Sequence, residues 1–159
     1  MAHKRCRRTP VMAVPPRGLR PKLSRAQLTA LGLAHIINLD LISKGLGDEE
    51  VLWQMVGGVL TWCRVAELSG TGAEEMTAQL ELATRVVERY GRTGRVGFSG
   101  VEYQAARLGV DVMDAMAGQV DQETASIAAE WSEMRVALLA SQCAVHRADR
   151  HDTEKRTTP

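Results

Sequence analysis

The residues of this chain that could do chemistry are few, and their spacing assembles no reacting centre. His3, His35, His146 and His151 lack the neighbour spacing of a metal set. Cys6, Cys63 and Cys143 are an odd set with no CxxC pair. Cys63 and Cys143 fall in helical stretches and read as small buried hydrophobes, which suits a reducing compartment. Glu130 and Glu133 flank Trp131. Carboxylate pairs on facing helices can hold a metal, but the Glu-x-x-His of di-iron bundles is absent. There is no nucleophile–base pair and no phosphate loop. The sequence therefore argues against an enzyme and predicts no cofactor and no metal, leaving a site assembled from scattered residues as the enzymatic alternative.

Two stretches could bind instead. The run GRTGRVGFSG, residues 91–100, sets Arg92 and Arg95 between glycines ahead of a helix start. Glycine-rich backbone at a helix N-terminus can hold an anion, and arginine makes paired bonds to carboxylate or phosphate. No strand precedes the run, and Glu102 competes for the same amides. A mobile connector with solvated arginines is the plainer reading. Arg92, Arg95 and Phe98 are the partner-binding candidates, with Phe98 also expected as a staple beside the next helix cap.

The second stretch is the N-terminal arm, residues 1–22. It carries Lys4, Arg5, Arg7, Arg8, Arg17, Arg20 and Lys22 with no acid, and four prolines interrupt it. Proline removes donors and fixes φ, so a disordered arm is expected. A cationic arm can track phosphates and release counterions, which makes these seven residues the nucleic-acid-binding candidates. No aromatic side chain is present to stack on bases. Residues 23–145 hold nine Lys or Arg against sixteen Asp or Glu. The arm could therefore equally lie on the acidic body of its own chain.

These residues need elements to carry them, and the densest apolar block supplies the first. It lies in DEEVLWQMVGGVLTWCRVAELS, residues 48–69, between an N-cap at Asp48 and a stop at Gly70. Trp53 and Trp62 are about half a turn out of phase, so this helix is apolar on opposite sides and should be central. It is too short and too interrupted to span a bilayer. Gly57-Gly58 costs helix propensity of about 1 kcal/mol per glycine, which the close approach of another helix would offset. Before it, a helix from Ser24 to about Ser43 carries Leu28, Leu31, His35, Leu39 and Ile42 as one stripe. After it, Thr71 to Glu74 fits a capping box opening a helix that stops at Gly91, with the face Met76, Leu80, Ala83, Val87 and Tyr90.

Ser99 and Glu102 form a further capping box, for a helix over 100–117 with Val101, Leu108, Val112 and Met116 on its apolar side. The last helix starts after Asp121 and should reach about Val145, with Ile127, Trp131, Met134 and Leu138 inward. The sum is an all-α fold: a helical bundle of about five helices over 23–145, with the basic arm before it and a polar disordered tail, 146–159, after it.

The strings RRTPVMAVPPRGLRPKL, VLWQMVGGVLTW and RYGRTGRVGFSG resemble small accessory proteins carried by proteobacterial phages and plasmids. The resemblance implies a mobile-element setting, in which such proteins modulate host machinery or host defence. It supplies no binding or catalytic residues. The expected role is a cytoplasmic, non-enzymatic helical protein that binds a host protein and spans no membrane. A DNA-associated regulator acting through the arm is the alternative.

Overall fold

The computed structural model of the chain describes residues 20–157, and side chains over 20–145. Lys4, Arg5, Arg7, Arg8 and Arg17, with most of the arm expected to be disordered, lie outside the described residues. The fold is all-α, with helices α1 (Arg25–Ser43), α2 (Glu49–Ser69), α3 (Ala73–Thr93), α4 (Gly100–Ala117) and α5 (Gln122–Thr157).

The central helix is α2. It packs against α1, α3 and α5, while α4 closes on α1 and α3. Leu52, Met55, Val56, Val59, Leu60, Trp62, Val65 and Ala66 are all buried, more of its length than any other helix hides. Its ends are those expected: Asp48 accepts from the Val51 N–H at 2.9 Å, and Gly70 closes it at φ 74. The glycine pair does admit neighbours. A methyl at Gly58 would stand 2.4 Å from His35 Cε1, and one at Gly57 would stand 3.5 Å from Val136. Beside Gly57, Ser132 donates to its carbonyl at 3.1 Å and Thr61 donates to Ser132 at 2.9 Å, fastening α5 to α2.

Several local expectations change. Helix α3 has Gly72 at its N-cap, at φ 77 and with no side-chain cap, so Thr71 forms no capping box. It also runs past Gly91 and ends at Gly94, φ 68. A methyl at Gly91 would meet only Cys143 Sγ, at 3.9 Å, so nothing at that position obliges the helix to stop. Arg92 thus belongs to the last turn of α3, where its charge complements the helix dipole. Helix α5 does not end near Val145 but continues to Thr157, replacing the expected disordered tail over most of its length.

The inward faces of the last two helices also differ in part from the expected ones. In α4 the buried residues are Ala106, Gly109, Val110, Met113, Met116 and Ala117, whereas Val101 and Leu108 are exposed. In α5, Ala128 and Ser132 face the bundle and Trp131 packs on the core as expected, whereas Ile127, Met134 and Leu138 are exposed. In α5 the reason is close packing. Close helix contacts select small side chains, and a search for large apolar residues reads the wrong side.

The last residues of the arm are placed on the body. Arg20 pairs with Glu123 at 3.1 Å, the Gln122 N–H donates to Pro21 O at 2.8 Å, and Lys22 and Asp121 form an isolated antiparallel bridge. Among the described residues, Arg25–Ser43 alone is long and apolar enough to cross a membrane by length and composition, and it packs in the bundle through Asn38, Leu39 and Ile42.

Candidate functional site

The sequence-predicted contact residues are not gathered into one site. Arg92 and Arg95 are both exposed. Arg92 helps to line a groove of about 480 Å3 between α3 and α5, whose apolar floor is Val87, Leu139 and Cys143. Phe98 is half-buried and packs against both parts of the core, which fits the expected staple. Arg20 is engaged with Glu123.

The connector is pinned rather than mobile, by a residue the sequence did not single out. Arg89 donates to Gly97 O at 2.8 Å and to the carboxylate of Glu102. Glu102 completes the expected capping box by accepting from the Ser99 N–H at 2.7 Å. Burial pushes the Glu102 carboxyl up, but the hydrogen bonds from Arg89 and Ser99 outweigh it and hold the group below its ordinary range. Glu102 is thereby committed to the fold, and the backbone amides it occupies are not open to an anion.

A second groove of about 480 Å3 lies where α1 and α5 diverge over α2. Leu23, Leu31, Ala34, Trp62, Val65 and Ala129 give it an apolar lining, and its polar groups are the neutral Gln27, Thr61, Gln122 and Ser126. No titratable side chain lines it. The small residues Ala30, Ala34, Ala125 and Ala129 open it, and a search for chemical motifs passes over alanines. The signal that could have found it is the alanine spacing of four in each helix.

Trp62, on the floor, donates its indole N–H to His35 Nε2 at 3.0 Å. That nitrogen must be bare to accept, so the ring is neutral with its proton on Nδ1. Burial lowers the His35 pKa and Asp114 partly restores it. A depressed base binds fewer protons in the folded state. Its stability contribution is therefore complete above the unfolded value of about 6.5 and is lost as pH falls from there through the folded value. Urea melts at pH 7.5 and 5 should show a larger loss for the wild type than for His35→Gln. Equal losses would place His35 in a solvated setting.

The Cys63 thiol is committed to structure. Burial, then Glu67, pushes the Cys63 thiol up to about 11, and it donates to Met76 O at 3.4 Å. It is not a thiolate near neutral pH. No group of three His, Cys, Asp or Glu able to hold a metal occurs among the described residues. The chain matches no protein-family model, no curated protein and no solved structure.

Proposed function

We propose that this is a non-enzymatic interaction protein that seats an apolar helical segment of a partner protein in the groove between α1, α2 and α5. The groove itself carries the reading: it is large, open, apolar and free of titratable groups. Such a lining has nothing with which to move a proton or hold a phosphate. It suits an amphipathic helix laid into a cleft, where apolar anchors supply affinity and a few neutral hydrogen-bonding groups fix register. The partner is a host protein, as the resemblance to phage and plasmid accessory proteins implies, and the cysteine usage suits a reducing cytoplasm.

DNA binding through residues 1–22 is less well supported. Arg20 is held by Glu123, and Lys22 joins the body through its backbone. Of the seven cations, Arg20 is thus paired with an acidic body that repels phosphate.

Affinity capture from host lysate tests the reading with three proteins. The wild type and an Arg92→Glu, Arg95→Glu variant should retain the same partner, and an Ala30→Arg, Ala129→Arg variant should lose it by more than about tenfold, or ~1.4 kcal/mol. Circular dichroism should show all three folded. A partner lost only with the arginine variant would move the contact to the end of α3.

A further inference from the structure

The large apolar residues expected inside α5 form a stripe that the bundle leaves uncovered. Ile127, Met134, Leu138 and Val145 are 43%, 67%, 47% and 59% exposed. With half-buried Trp131 and with Ser141, they repeat at alternating spacings of four and three over 127–145. That is the a/d pattern of a coiled-coil seam, with Trp131, Leu138 and Val145 at a and Ile127, Met134 and Ser141 at d. The bundle-facing residues, Ala125, Ala128, Ser132, Leu139 and Cys143, occupy a different side of the same helix, and Trp131 stands at the border, packing on the core with the Arg64 guanidinium of α2 5.8 Å from its ring. Helix α5 therefore has two faces, one used and one open.

We propose that the open face pairs with the same face of a second copy, the two α5 helices running parallel. The occupant is chosen by charge. In this heptad Glu130 falls at g and Arg135 at e, five residues later. In a parallel pair the g residue of one helix meets the e residue of the next heptad on the other. Glu130 of each copy thus faces Arg135 of its neighbour, giving two symmetric ion pairs across one twofold axis. An antiparallel pair would set g against g and e against e, and would lose both. Glu130 and Arg135 are exposed, and the Arg135 guanidinium rests 5.7 Å from the Trp131 ring, beside the seam. The helix is 36 residues long, about 54 Å, so the seam lies well within it.

Sedimentation equilibrium on the full chain tests this. The wild type should associate to a dimer with rising concentration. Met134→Glu, Leu138→Glu should stay monomeric with an unchanged circular dichroism spectrum, since both side chains are exposed. Glu130→Arg should weaken association about tenfold, because two attractions become two repulsions. Adding Arg135→Glu to it should restore the wild-type constant by exchanging the charges. A wild type that is monomeric at every concentration, a dimer that survives the Met134/Leu138 change, or a double charge exchange that fails to rescue would each overturn the proposal.

Discussion

Replacing Trp62 with alanine should lower the unfolding free energy by about 3–5 kcal/mol, the range for a buried aromatic truncation. Trp62 is 3% exposed in the centre of the most buried helix, and its indole N–H is paired with His35. Truncation removes the ring's packing and leaves His35 Nε2 without its donor, so two costs add. Trp53, on the opposite side of α2, is half-buried, and its indole N–H donates to Glu49 on the same helix at 3.3 Å. Trp53→Ala should therefore cost less than half as much. Urea melts of the two variants check the contrast. Equal losses would mean that the two faces of α2 are covered alike.

The adjacent glycines of α2 should respond to alanine with opposite signs. At Gly57 the new methyl meets Val136 at ordinary contact distance, 3.5 Å. The helix-propensity gain of up to about 1 kcal/mol is then realised. At Gly58 the methyl would stand 2.4 Å from His35 Cε1 and 2.8 Å from Nδ1. His35 is held from its other nitrogen by Trp62, so it cannot swing aside without losing that bond. Overpacking of this kind costs about 1–3 kcal/mol, which exceeds the propensity gain. Gly57→Ala should melt higher than the wild type and Gly58→Ala lower. A stabilising Gly58→Ala would show that α1 can withdraw from α2 at no cost.

The helices were legible where the chain announces its own ends. Ser24, Asp48 and Ser99 each cap the helix that follows, and Gly70 closes α2 in the left-handed conformation. Capping is local chemistry, readable within four residues. Helix existence was legible too, and so was the centrality of α2, because few residues in its apolar block are polar. Facing was legible only where large residues face inward. Where helices approach closely, at Gly57, Gly58, Gly109, Ala128 and Ser132, the core is made of small residues that carry no strong apolar signal. Gly109 shows this well: glycine has low helix propensity, yet a methyl there would stand 2.2 Å from Gln79 Cδ.

The groove escaped for the same reason. It is a space, bounded by alanines from two helices that are about 90 residues apart in sequence, and no local pattern encodes it. The arginines that do stand out in the sequence mark a helix end and an exposed turn. The residue that organises that turn is Arg89, on α3, and its partners lie eight and thirteen residues away, beyond the reach of a local pattern.

Amide hydrogen exchange on the protein with its captured partner bound tests the central claim most directly. Protection should rise over residues 23–34, leading into and through the start of the first helix, and over 122–129 of the last, the two walls of the apolar groove. Protection confined to residues 92–98, or to residues 1–22, with those two walls exchanging as in the free protein, would contradict it.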